Sequence, residues 1–160
     1  MINAQKQATS PNASCWVSAS AGTGKTKVLI DRLAKLMLLG AHANSILCIT
    51  YTKAAANEMQ ERLLKRLQTW AIAEPDVLKE DIHNLLGHMP DAETIQKARS
   101  LFFSALDTPG GLRIQTIHSF CQILLKQFPL EAGIDPCFQM IEETVARKLL
   151  KQCQHTVLEN

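Results

Sequence analysis

Ser18-Ala19-Ser20-Ala21-Gly22-Thr23-Gly24-Lys25-Thr26 reads as a cradle for a nucleotide phosphate, and the expected fold follows from it. The apolar Cys15-Trp16-Val17 precedes it and an amphipathic stretch from Lys27 to Leu39 follows it. Strand, small-residue loop, Gly-Lys-Thr and helix thus come in the order such a motif needs. Small residues from Ala19 through Gly24 let successive backbone N–H groups turn inward around a phosphate, where larger side chains would obstruct them. Lys25 then supplies a mobile positive charge for the β and γ phosphates. The Thr26 hydroxyl is placed to coordinate Mg²⁺, and the N-terminus of the following helix favours an anion. Ala19 stands where G-x-x-x-x-G-K-[ST] usually has its first Gly, a position at which Ala tolerates the negative φ it needs. The alternative is an ordinary glycine turn leading into a helix.

Around the cradle there is one domain's worth of soluble core, with 46% hydrophobic and 20% charged residues in a chain of 160. A net charge of +2 neither announces nor excludes a nucleic-acid surface. The five cysteines (Cys15, Cys48, Cys121, Cys137, Cys153) are isolated, with no pair at zinc spacing, and three lie in apolar runs that predict buried thiols. Their odd number, with no signal peptide, fits a reducing cytoplasm. No apolar run approaches the ~20 residues that a membrane helix requires, so no membrane partner is expected.

Working outward, Cys15–Ala19 is a predicted strand, Thr26–Leu39 a helix with Gly40 at its C-terminus, and Ser45–Thr50 a buried parallel strand. Lys53 to about Ala73, rich in Ala, Glu, Leu, Lys and Arg, is the strongest helical stretch. Helices follow over Asp76–Leu86 and Asp91–Leu106, then a short strand over Leu112–Thr116 and a helix over Ile117–Gln127 stopped before Pro129. An extended piece, Cys137–Ile141, precedes a last helix over Glu142–Glu159. Strands alternating with helices predict an α/β fold, a parallel sheet with helices on both faces. Three to four strands and no closing strand predict the N-terminal part of something larger.

Two further segments carry chemistry. Thr50-Tyr51-Thr52-Lys53 puts two hydroxyls, an aromatic ring and a cation where a strand gives way to a helix, the edge at which open α/β sheets gather ligands. Hydroxyls and helix N-termini suit phosphodiester oxygens, and Tyr51 is able to stack on a base. Thr116-Ile117-His118-Ser119-Phe120 repeats the arrangement. Taken singly, each segment reads equally well as a helix cap beside a core aromatic.

Taken in order, A-G-T-G-K-T, I-T-Y-T-K-A-A-A-N-E-M and I-Q-T-I-H-S-F-C resemble motifs I, Ia and the next DNA-contacting motif of UvrD-like superfamily 1 DNA helicases. Gln5-Lys6-Gln7-Ala8 looks like their adenine-reading motif, with Gln5 the better candidate because its amide both donates to and accepts from an adenine edge. W-V-S-A-S-A-G-T-G-K-T, T-K-A-A-A and F-P-L-E-A-G-I are most similar to the helicase component of AddAB-type double-strand-break repair helicase-nucleases. Lys53 stands where many relatives carry Asn. The resemblance implies a P-loop (RecA-like) ATP-binding domain over residues 1–141, with 74–108 as a helical insertion and 142–160 opening an accessory helical subdomain. It implies MgATP on motif I, single-stranded DNA on Thr50–Lys53 and Thr116–Phe120, 3′-to-5′ translocation, and a nuclease partner in the whole enzyme.

Hydrolysis in such a family needs an apolar strand ending in Asp-Glu, and arginines from a second motor domain. Phe138-Gln139-Met140-Ile141-Glu142-Glu143 imitates the former, but its acids are better read as the first turn of the last helix. These residues alone are therefore expected to bind nucleotide without turning it over. Lys6, Lys27, Arg32 and Lys35 are read as a solvated helix face near the cradle. A small nucleoside or metabolite kinase is the competing enzyme reading, but a phosphate lid needs arginines and Glu74–Thr108 holds only Arg99. A non-enzymatic remnant of a helicase gene is the other alternative.

Overall fold

The computed structural model describes residues 3–20, 22–141 and 143–158; Ala21 and Glu142, both singled out above, lie outside them. Two compact units divide the chain, one running through Phe120 and one from Cys121 onward.

In the first unit the order is α1 (Asn3–Ala8), α2 (Lys25–Leu38), a 3₁₀ turn (Ala43–Ser45), β1 (Leu47–Thr50), α3 (Lys53–Ile72), α4 (Pro75–Leu86), α5 (Ala92–Leu106) and β2 (Arg113–Thr116). α2 buries Ile30, Leu33, Ala34, Met37 and Leu38, the stripe that helical periodicity makes on one side. It stops where Gly40 turns left-handed at φ 109, with Ala41 N–H donating to Leu36 C=O. α3 starts on Thr52, whose hydroxyl accepts from Ala55 N–H at 3.1 Å, and buries Ala56, Met59, Leu63, Leu67 and Trp70. Pro75 opens α4, and Asp91 caps α5 by accepting from Thr94 N–H at 2.8 Å. Leu78, Ile82 and Leu85 of α4 and Ala98, Leu101 and Ala105 of α5 close one apolar core with α2 and α3. The region expected to be an insertion thus contributes directly to the first unit's core.

β1 and β2 pair in parallel, from Leu47 opposite Arg113 to Thr50 opposite Thr116. The crossover between them consists of α3, α4 and α5, the long connection that parallel pairing requires. Cys48 and Ile114 enter the core, while Leu47 and Ile49 remain 43% and 46% exposed on the other side of the ladder. Helices cover one face of this sheet among the described residues, not both as expected.

Two predicted strands do not form. Cys15–Ala19 makes no ladder and is exposed throughout, because an apolar run becomes a strand only where a neighbour takes up its N–H and C=O groups. Cys137–Ile141 begins inside a turn instead, with Asp135 Oδ1 accepting from Cys137 N–H at 2.7 Å and Phe138 N–H donating to Asp135 C=O. The expectation of buried thiols holds only for Cys48, since Cys15, Cys121, Cys137 and Cys153 are exposed.

α6 (Ile117–Gln127) crosses from the first unit into the second, which continues with α7 (Pro129–Ala132) and α8 (Glu143–Leu158). The division by contact therefore falls within α6 rather than at the expected residue-141 boundary. Neither α6 nor α7 has a buried residue. α8 begins at Glu143, in line with the first-turn reading of that residue.

Candidate nucleotide and nucleic-acid site

The cradle is a loop closed on itself by short polar contacts. Gly22 and Gly24 both take left-handed backbone, φ 79 and 86, where a Cβ would be strained, and Gly24 is the N-cap of α2. Thr23 Oγ1 donates to Ser20 C=O at 2.7 Å. Lys25 Nζ donates to Ala19 C=O at 2.5 Å and to Ser20 C=O at 2.6 Å, so its ammonium lies across the loop rather than out in solvent. The first N–H groups of α2, the orphan donors of any helix start, open onto the same place. Thr26, the expected Mg²⁺ ligand, is exposed in the first turn of α2.

Gln5 is half-buried on α1 and lines a cavity of about 340 Å³ together with Val17, Ser18, Ala19, Thr23 and Lys25. A second cavity of about 520 Å³ shares Lys25 and adds Leu29 and Arg32. Together these volumes suit a nucleotide. A third, of about 480 Å³, lies between the C-terminal end of α2 and α5 and contains no cradle residue.

Parallel pairing puts the ends of β1 and β2 side by side, so Tyr51–Lys53 and Ile117–His118 leave the sheet at one edge. Tyr51 is 84% exposed there, and Lys53 and His118 are exposed too. The hydroxyls are committed locally. Thr50 Oγ1 donates to Thr52 C=O at 2.9 Å, and Thr52 caps α3. The buried Thr116 accepts from Ser119 N–H at 3.2 Å, and its hydroxyl lies 2.9 Å from that of Ser119. Thr52 keeps its own proton free to donate to an incoming oxygen. Phe120 is half-buried at the end of this segment.

Sequence reasoning missed Arg32. Grouped above with a solvated face, it is half-buried, and its guanidinium donates to the C=O groups of Ala8, Ser10 and Ala13. Lys35 is likewise engaged, donating to Leu85 C=O at 3.2 Å. The one signal in the sequence was the choice of Arg over Lys on a face beside a loop, since its planar fork serves several acceptors at once.

The family model for the UvrD/REP helicase N-terminal domain matches residues 1–160. The chain is 35% identical over 136 residues, 85% of its length, to the ATP-dependent helicase/nuclease AddA of Lactobacillus gasseri, covering 10% of that protein. It is 34% identical over 136 residues to the protein of the same name from Latilactobacillus sakei, covering 84% of this chain and 13% of that one. The Pediococcus pentosaceus protein of that name is 30% identical over 149 residues, 92% of this chain and 10% of the relative. The chain therefore spans about a tenth of the length of these relatives.

Proposed function

The chain belongs to the UvrD/REP helicase N-terminal domain family, and from that premise we propose that it is the ATP-binding part of an ATP-dependent DNA helicase of the AddA helicase/nuclease type. MgATP sits with its phosphates over Ala19–Thr26, in a P-loop of the RecA-like kind. Lys25 leaves the carbonyls of Ala19 and Ser20 for the β and γ phosphates, Thr26 holds Mg²⁺, and Gln5 reads the adenine edge. Single-stranded DNA runs along the edge formed by Thr50–Lys53 and Thr116–Phe120. Tyr51 stacks on a base, and Lys53 and His118 meet backbone oxygens. In the whole enzyme this edge serves 3′-to-5′ translocation during double-strand-break repair, beside a nuclease partner, in the cytoplasm.

The observation that carries the reading is the position of Lys25 Nζ, held over the loop at the mouth of a cavity that Gln5 also lines. A small-molecule kinase would need a cationic lid, and Arg99 instead donates to the Ala71 and Ala73 carbonyls at 3.1 and 2.8 Å. Calorimetric titration with MgATP tests the nucleotide half, and absence of saturable binding by the wild-type chain would refute it. Anisotropy of a labelled oligonucleotide at two salt concentrations tests the other half. Binding should be weak, indifferent to base sequence and strongly weakened by salt, because backbone charge dominates such contacts. Phosphate release from these residues alone should stay below one turnover per second, with or without DNA, since loss of an arginine finger costs about 10³–10⁵ in rate.

A further inference from the structure

Two parts of the nucleotide reading lie on different helices: Gln5 on α1 and Lys25 on α2. Little apolar packing joins the polypeptide between them, since residues 12–20 are exposed throughout and Trp16 is 94% exposed. What spans the gap is Arg32. Its Nη1 donates to Ala8 C=O at 3.0 Å and to Ser10 C=O at 2.5 Å, and its Nη2 donates to Ala13 C=O at 2.8 Å. Nη1 also lies 3.7 Å from Cys15 Sγ, which itself reaches Ala8 C=O at 3.5 Å.

Ala8 is the last residue of α1, so its carbonyl is one of the acceptors a helix end leaves without an intrahelical donor. A guanidinium there also meets the negative end of the helix dipole. Ser10 and Ala13 belong to the connection that leads into the cradle. One side chain thus fastens the end of the base-reading helix, and the lead-in to the phosphate loop, to the helix that carries Lys25. Arg32 itself lines the cavity that Lys25 shares.

We propose that Arg32 is a positioning residue for nucleotide recognition. It fixes the distance between Gln5 and the cradle, and so controls the base-dependent part of affinity without touching the phosphates. This rests on the nucleotide reading of the site above. A base-free ligand separates the two ideas, because Mg-tripolyphosphate needs the cradle and not Gln5.

The 160-residue chain and its Arg32→Gln, Arg32→Lys and Gln5→Ala variants are titrated with MgATP and with Mg-tripolyphosphate. Arg32→Gln should weaken MgATP on the order of tenfold, as for loss of a charge-assisted hydrogen bond. Its tripolyphosphate affinity should change by less than about twofold, which also reports that the cradle is folded. Arg32→Lys should recover only part of the loss, because a point charge cannot serve three carbonyls as a fork does. Gln5→Ala should cost less in the Arg32→Gln background than in the wild type, since residues acting through one arrangement are not additive. Equal weakening of both ligands would reduce Arg32 to a structural tie and overturn the proposal, as would no weakening of either. A wild-type chain that binds neither ligand would instead overturn the nucleotide reading, and the proposal with it.

Discussion

Around α3, Leu63, Leu67 and Trp70 are almost wholly buried, together with Leu78 and Ile82 of α4; along residues 12–20, every residue is exposed. The first region is held by the removal of apolar surface from water. The second is held by a few polar contacts, those of Lys25 inside the loop and those of Arg32 behind it. A loop that must open around a phosphate cannot also be filled with side chains, so its shape depends on hydrogen bonds that a ligand is able to replace. Stability and binding are therefore expected to be separable by mutation.

The strongest test of that separation lies far from the cradle. Trp70 is 1% exposed, donates from Nε1 to Asp81 Oδ2 at 2.5 Å, and stacks under the Arg66 guanidinium at 5.4 Å. Trp70→Ala should cost about 3–5 kcal/mol of stability, in the range of large-to-small core substitutions. Chemical denaturation measures the loss. Nucleotide affinity of the protein that remains folded should be unaltered; a parallel fall would show that the two regions are one.

The converse substitution is Lys25→Ala. Its expected cost is on the order of 2–4 kcal/mol in MgATP affinity, as for loss of a charge-assisted contact to phosphate. Both of its partners are exposed carbonyls that water can satisfy, so the denaturation midpoint should barely move. Calorimetry and denaturation on the same variant read the two effects side by side. A large stability loss with unchanged affinity would reverse the comparison.

The two regions also differ in how much of each was legible in the sequence. Helical periodicity placed α2 through α6 within a residue or two of where they lie, because burial of one stripe is a local property of spacing. Thr52 and Asp91 mark the starts of α3 and α5 by residue type alone. Strands were less legible, since pairing depends on a partner that the run itself does not encode. Leu112–Thr116 found β1, whereas Cys15–Ala19 found no neighbour. Within the site, Gly22, Gly24 and Lys25 were legible because each is dictated by backbone geometry or charge. Arg32 was not, because its acceptors are carbonyls, which every residue carries alike.

A smaller effect is expected where the two kinds of region meet, at the start of α3. Thr52 Oγ1 accepts from Ala55 N–H, and Thr52→Ala should cost about 1 kcal/mol in stability through loss of the cap. Thr52→Asp restores an N-capping acceptor but places negative charge at the edge proposed to meet DNA. It should recover the stability and weaken oligonucleotide binding. If it recovers both, this residue acts only as a cap and the DNA edge runs elsewhere.

The smallest expected effect is one of pH, and it concerns the link between α2 and α3. Asp31, 3% exposed, lies in the same helix as Lys25, with Arg66 Nε at 3.4 Å from its Oδ1. Neither atom makes a hydrogen bond, so the pair is poorly aligned, and Arg66 Nη2 turns instead to Asp81 at 3.2 Å. Burial raises the Asp31 carboxyl above its ordinary 3.8, outweighing the lowering influence of Arg66 and Lys27, while Asp81 adds to the rise. A raised acid holds its proton more tightly folded than unfolded. Its contribution to stability is therefore fully present below pH 3.8 and is lost as pH climbs through the raised value. The test is the stability difference between wild type and Asp31→Asn, followed by denaturation at a series of pH values. The wild type should lose ground to the variant across that window and run parallel to it above. A wild type that gains ground instead would mean that the ion pair with Arg66 outweighs burial. Charge, not only apolar packing, would then join the cradle helix to the core.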